Sequence, residues 1–138
     1  MIFINLPVAN VQTSTRFYKA LGATRNETFS NETSSSMVIS DTISVMLLSH
    51  DRWRDFTPKN IPDAKMSAQV LLCLSMESRE ACDAAVHAAV KAGGTADPTP
   101  KQDHGFMYGR SYEDPDGHIW EVMWMDMAAM QKAMSGQN

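Results

Sequence analysis

Glu121 closes the stretch of this chain whose residue types and spacing come nearest to chemistry, Tyr112-Glu113-Asp114-Pro115-Asp116-Gly117-His118-Ile119-Trp120-Glu121. Asp114-Pro115-Asp116-Gly117 has turn character at each position: proline presets φ, aspartate bonds its own backbone, and glycine accepts positive φ. A hairpin is expected there, feeding a strand over His118–Trp124. Period-two alternation puts Ile119, Glu121 and Met123 on one face of that strand and His118, Trp120, Val122 and Trp124 on the other. A carboxylate among large apolar neighbours suits a general base for proton abstraction beside a carbonyl. The ordinary alternative is a surface carboxylate on an edge strand.

Other side chains could join it. His104 lies in Asp103-His104-Gly105-Phe106-Met107-Tyr108-Gly109-Arg110, just before a strand, and reads either as an exposed loop residue or as an acid/base or ligand contact at a cavity mouth. Tyr108 and Arg110 share one face of that strand. If that face lines a cavity, Arg110 pairs with Glu121 or clamps an anionic substrate through its bidentate fork; if not, it is a solvated strand charge. His118 alternates away from Glu121, His87 lies on a helix flank and His50 ends a strand, so these three build no metal site.

The elements that must position these residues come in a repeating order. Phe3–Val8 reads as a strand, and Asn10 caps a helix through Phe17, Tyr18 and Leu21 that stops at Gly22. Strands follow over Ala23–Phe29, Ser35–Ser40 and Ile43–Ser49. After an irregular polar stretch, His50–Lys65, the order restarts. Gln69–Ser75 is a strand, and Ser78 caps a helix burying Cys82, Ala85, Val86, Ala89 and Val90 and ending at Gly93-Gly94. Strands near Thr95–Pro98, Gly105–Tyr112 and His118–Trp124 complete it. The chain thus reads as one α+β domain over 1–138, with a module at 1–60, a second at 66–124, and a short helix at 126–134 capped by Asp126 and presenting Met127, Met130 and Met134. Asp41-Thr42-Ile43-Ser44-Val45-Met46 overlays Asp116-Gly117-His118-Ile119-Trp120-Glu121, which puts Met46 where Glu121 stands.

Composition excludes several classes. The chain has 138 residues, 43% of them hydrophobic, and a net charge of −4. Without a lysine or arginine cluster there is no electrostatic footprint for nucleic acid. No apolar run approaches the roughly 18 residues of a membrane span or the core of a signal peptide. A cytoplasmic location is expected. Cys73 and Cys82 form no C-x-x-C pair and read as buried small hydrophobes. Trp53, in the connection between modules, reads as a loop anchor.

The tandem module, the opening Leu6-Pro7-Val8-Ala9-Asn10 with Ser14, Phe17-Tyr18 and Leu21-Gly22, and the closing Glu113-Asp114-Pro115-Asp116-Gly117-His118 with Glu121 resemble the vicinal oxygen chelate superfamily. That superfamily includes glyoxalase I, extradiol dioxygenases, fosfomycin-resistance enzymes and bleomycin-resistance binding proteins. The resemblance spans residues 1 to about 124. It implies two βαβββ modules forming a curved mixed sheet around a cavity, usually in a homodimer. It also implies a divalent metal held from four cavity-facing strand positions, mostly His and Glu. Carried over singly, the fourth position falls on Glu121 and matches. The first falls on Phe3, the second on Met46, and the third on Val70, or on Gln69 if the offset shifts by one.

One carboxylate holds Mg²⁺, Mn²⁺ or Zn²⁺ poorly, since each needs several simultaneous ligands. The expectation is therefore a metal-free cavity, lined by Phe3, Asn5, Met46, Val70, Tyr108 and Arg110, that takes a small organic molecule. Two other readings stand beside it. One is a glyoxalase-like lyase or isomerase using Glu121 as base or metal ligand, aided by His104 or Gln69. The other is a ligand-free regulatory or structural dimer whose cavity is filled by its own side chains.

Overall fold

A computed structural model describes residues 1–136 of the chain. Two compact units emerge among the described residues, one formed by 1–67 together with 115–117 and the other by 68–114 and 118–136.

In the first unit, strand β1 (Ile2–Val8) leads to helix α1 (Val11–Ala20), then β2 (Thr24–Arg25), a 3₁₀ turn (Glu27–Phe29), β3 (Ser34–Val38), β4 (Ile43–Ser49) and a short helix α2 (His50–Arg54). The sheet order is β1-β4-β3-β2, with β1 parallel to β4 and the other pairs antiparallel. Helix α1 forms where expected because the Asn10 side chain accepts from the Thr13 N–H at 2.9 Å, a cap worth about 1 kcal/mol. Val11, Ser14, Phe17 and Tyr18 recur at helical spacing and are buried. They face a layer that includes Val8, Met37, Val45 and Leu47, each fully buried. The opposite face of the sheet carries Phe3, Asn5, Ser36, Val38, Ser44 and Met46, fixed there by the registers Phe3↔Ser44, Asn5↔Met46, Ser36↔Met46 and Val38↔Ser44.

Residues 115–117 complete this unit. The Asp116 carboxylate accepts from the Ala9 N–H at 2.8 Å and the Ser14 hydroxyl at 3.2 Å, beside the start of α1. Gly117 has φ of +102°, and a Cβ there would stand 2.7 to 2.9 Å from the backbone of Ala64 and Lys65. Only glycine fits on both counts.

The second unit repeats the pattern with β5 (Leu72–Ser75), α3 (Arg79–Lys91), β6 (Thr95–Ala96), β7 (Gln102–Asp103), β8 (Met107–Glu113), β9 (Ile119–Met125) and α4 (Met127–Ser135). Its sheet order is β5-β9-β8-β6, with β7 also paired to β8. Ser78 caps α3 by accepting from the Ala81 N–H at 3.0 Å, and Cys82, Val86 and Ala89 are its buried stripe. Trp120 and Val122 are 1% exposed, which places the apolar face of β9 inward as its alternation predicts. The β8–β9 hairpin closes through mutual bonds: the Asp114 N–H donates to the His118 carbonyl and the His118 N–H to Asp114 Oδ1, both at 2.9 Å.

The α+β class and the two βαβββ-like mixed sheets match the expectation from sequence; several boundaries do not. The strand expected over Ala23–Phe29 ends at Arg25, because the Asn26 side chain accepts from the Thr28 N–H and nucleates the 3₁₀ turn. The stretch after β4 opens with α2, capped by Ser49, whose hydroxyl accepts from the Arg52 N–H at 3.1 Å. Strand β5 starts at Leu72, three residues later than expected, leaving Gln69 and Val70 in an exposed segment. Strand β7 was not anticipated, and Cys73 is exposed rather than buried. Helix α4 forms behind Asp126, with Met127 and Met134 exposed. Among the described residues no helix is long and apolar enough to cross a membrane.

Candidate functional site

Each unit carries one sheet face turned away from its helix, and each face has a concavity. On the first, a cavity of about 530 Å³ is lined by Met1, Phe3, Asn5, Asn26, Phe29, Ser36, Val38, Ser40, Asp41, Ser44 and Met46. Phe3 and Phe29 remain 62% and 68% exposed, so apolar surface is offered rather than used internally. Three of the residues singled out from sequence, Phe3, Asn5 and Met46, meet here, because β1 and β4 are parallel neighbours and Asn5 pairs with Met46. Phe29 escaped the sequence reading because it was assigned to a strand.

On the second unit, a smaller depression of about 220 Å³ is lined by Cys73, Thr99, Pro100, Gln102, Met107, Gly109, Arg110, Glu121, Val122 and Met123. Glu121 lies between Cys73 on β5 and Ser111 on β8. Ser111 is fully buried and bonded to Thr99, whose N–H and hydroxyl both approach the Ser111 oxygen, at 3.1 and 2.7 Å. That contact brings the 99–102 segment over the sheet as a wall. Partial desolvation against the sheet, and then the neighbouring Glu121 charge, raise the Cys73 thiol pKa above its ordinary value.

The remaining candidates lie elsewhere. Val70 is 60% exposed, outside any strand; the β5 residue beside Glu121 is Cys73. A signal for this was present in the alternation Leu72-Cys73-Leu74-Ser75, but the start of β5 had been set too early to use it. Tyr108 and Arg110 pair with Trp124 and Val122, and so occupy the face opposite Glu121. There Arg110 bonds both Asp83 of α3, at 3.0 Å, and Asp97, at 2.8 Å, while the Tyr108 hydroxyl donates to Asp83 at 2.6 Å. These contacts hold both aspartates below the usual carboxylate range: Asp83 through its bond from Tyr108 first and then Arg110, Asp97 through Arg110. Arg110 thus fastens α3 and the 97–101 segment to the sheet, and it also borders the depression that holds Glu121. Arg79 extends the network, binding Asp103 at 2.8 Å and lying over the rings of Tyr108 and Trp124. His104 is exposed in the β7–β8 hairpin and stacks on Phe106.

The donor sets bear on the divalent metal that the resemblance implied. Among the described residues, no group of three or more His, Cys, Asp and Glu side chains is placed to hold an ion. The first unit's face offers one carboxylate, Asp41, and no imidazole; the second offers Glu121 with a thiol. Phenylalanine at position 3 and methionine at 46 supply no oxygen or nitrogen donor, so these residues do not fit a hard divalent ion.

Comparison with known proteins settles the ancestry. The Glyoxalase/Bleomycin resistance protein/Dioxygenase superfamily profile matches residues 2–122. The chain belongs to that superfamily. Solved structures agree at the level of fold. A hypothetical protein from S. aureus superposes with a TM-score of 0.76 at 22% identity, over 90% of this chain and 92% of the other. A glyoxalase/bleomycin resistance protein/dioxygenase family enzyme from Burkholderia phytofirmans gives 0.72 at 16% identity, over 89% and 96%. The fosfomycin resistance protein FosX from Listeria monocytogenes gives 0.66 at 17% identity, over 90% and 89%. No curated protein matches the sequence. Within the superfamily, then, this member has the glyoxalase-like fold.

Proposed function

We propose that this superfamily member binds a small, flat, largely apolar organic molecule on the open sheet face of its first unit, without a divalent metal, as a cytoplasmic homodimer. The observation that carries the reading is the 530 Å³ concavity in which Phe3, Phe29, Val38 and Met46 present apolar surface, while Asn5, Ser36 and Ser44 supply a few polar groups to orient a ligand. That balance suits an aromatic or aliphatic body with one or two hydrogen-bonding substituents. A face packed solid by its own side chains, as a ligand-free structural role would require, would not enclose such a volume. The exposed Ile2 and Phe3 on the edge strand β1 favour coverage by a second copy. The exposed free thiol of Cys73 suits a reducing compartment.

Titration with 1-anilinonaphthalene-8-sulfonate tests this reading. One saturable site per chain is expected, weakened at least tenfold, or about 1.4 kcal/mol, by Phe3→Asp and unchanged by Glu121→Gln. Absence of saturable binding, or binding indifferent to Phe3→Asp, overturns it.

A second reading, a lyase or isomerase using Glu121 as base, draws on the position of that carboxylate in the second unit's depression. It requires turnover of a carbonyl substrate that Glu121→Gln abolishes while the fold is kept. Elemental analysis after dialysis against Ni²⁺, Zn²⁺, Mn²⁺ and Fe²⁺ separates its metal-dependent form. About one ion per chain, lost in Glu121→Ala, would replace the metal-free reading.

A further inference from the structure

The second unit's depression gathers sulfur. Cys73 and Glu121 are direct partners across the parallel β5–β9 pair, and Met123 is the next residue of β9 on the same face. Opposite Met123 on β8 stands Gly109, which has no side chain to fill the space between them. Met107, two residues before Gly109, bends into that space: its Cε would lie 3.9 Å from a Cβ built on Gly109. One thiol and two thioethers from three adjacent strands therefore line one depression of about 220 Å³ beside a single carboxylate, and Arg110, also in the lining, has its guanidinium bonded to Asp83 and Asp97. Cys82, the other cysteine, is wholly buried on the inner face of α3 and takes no part in that lining.

We propose that Cys73, Met107 and Met123 form a site for a soft monovalent cation of the Cu(I) type, with Glu121 supplying compensating negative charge beside it. Thiolate and thioether donors select Cu(I), whereas Mg²⁺, Mn²⁺ and Ca²⁺ seek oxygen. The missing side chain at Gly109 leaves room for the ion, and the 99–102 segment shields one side from water. Binding exchanges one proton for one ion: the Cys73 S–H bond breaks, a sulfur–copper bond forms, and the proton passes to solvent. No electron is transferred.

The test is competition for Cu(I) against bicinchoninate, under ascorbate and without oxygen, on the full chain. One ion per chain is expected, with affinity falling at least 100-fold in Cys73→Ser and roughly tenfold in each of Met107→Leu and Met123→Leu, and unchanged in Cys82→Ser. Leucine keeps the volume of methionine, so these variants retain the fold. Gly109→Val fills the space beside Met107 without removing a donor and is expected to abolish binding. X-ray absorption should count two or three sulfur neighbours around copper. A single sulfur neighbour, methionine variants that bind as tightly as the native chain, or full affinity in Cys73→Ser overturns the site. Because the probe is copper and the donors lie in the second unit, neither outcome depends on an organic ligand in the first.

Discussion

The two units place the same topological row of residues on their open sheet faces and fill it with opposite chemistry. Across β1, β4 and β3 the row reads Asn5, Met46, Ser36; across β5, β9 and β8 it reads Cys73, Glu121, Ser111. Backbone pairing is the same in both, a parallel neighbour on one side and an antiparallel neighbour on the other. What differs is the side chains next to each row. Phe3 and Phe29 leave the first face broad and apolar, while the 99–102 segment, bonded to Ser111, narrows the second. A repeated backbone thus fixes where side chains project and leaves their chemistry free. The two proposed occupants follow that difference, a flat organic body on one face and a compact cation on the other.

The comparison is most sharply broken at Gly117. The glycines that end α1 and α3, Gly22 and Gly93, have positive φ but open space around the missing Cβ, whereas Gly117 combines positive φ with backbone contacts of 2.7 to 2.9 Å. Gly117→Ala is expected to cost about 3 kcal/mol, lowering the thermal midpoint by roughly 10 °C, against about 1 kcal/mol for Gly22→Ala or Gly93→Ala. Equal effects in a thermal melt would show that the Ala64–Lys65 backbone yields.

Next in size is the ionic fastening of α3 to the second unit's sheet. Arg110→Ala removes a largely covered guanidinium from Asp83 and Asp97 and should lose about 2 kcal/mol in urea unfolding, while Arg52→Ala on the first unit's α2, in an exposed pair with Asp55, should lose under about 0.5 kcal/mol.

A double dissociation then tests the two faces as sites. Phe3→Asp should reduce anilinonaphthalene binding at least tenfold and leave Cu(I) affinity within about twofold, while Cys73→Ser should do the reverse. Any variant that disturbs both ligands together would make them one site.

The smallest effect is on pH. Asp83, Asp97 and Asp103 have folded-state pKa values held down by their arginine and tyrosine partners, Asp103 to about 2. Their contribution is present above the unfolded carboxylate value of about 3.9 and is lost as pH falls through the folded values. Thermal midpoints should therefore drop between about pH 4 and pH 2, and Arg110→Ala should flatten part of that drop. High salt should flatten the share due to the exposed Arg79–Asp103 pair.

Alternation, caps and turns were legible in the chain because they depend on neighbours in sequence. Asn10, Ser78 and Asp126 each cap the helix that follows, and the faces of β9 follow its period of two. Even so, the Asp114–Gly117 turn, the feature that most suggested chemistry, bonds the backbone and fits against Ala9, Ser14 and Ala64. Its residues are constrained by packing as much as by function, and sequence alone does not distinguish the two.

What lay beyond reading was relative placement. Whether Arg110 faced Glu121 or α3 depended on which of two alternating faces the helix covered. That choice is set by burial of Trp120 and Val122, not by the local sequence of β8. Cys73 became the neighbour of Glu121 only once the parallel register of β5 and β9 was set, and a single-residue slip would have turned it away. By itself the sequence determined the two βαβββ repeats, the helix ends and the alternation that keeps Glu121 off the apolar core. Only the tertiary structure decided which residues share a face with it, because side chains from separate strands meet through long-range pairing that no local pattern encodes.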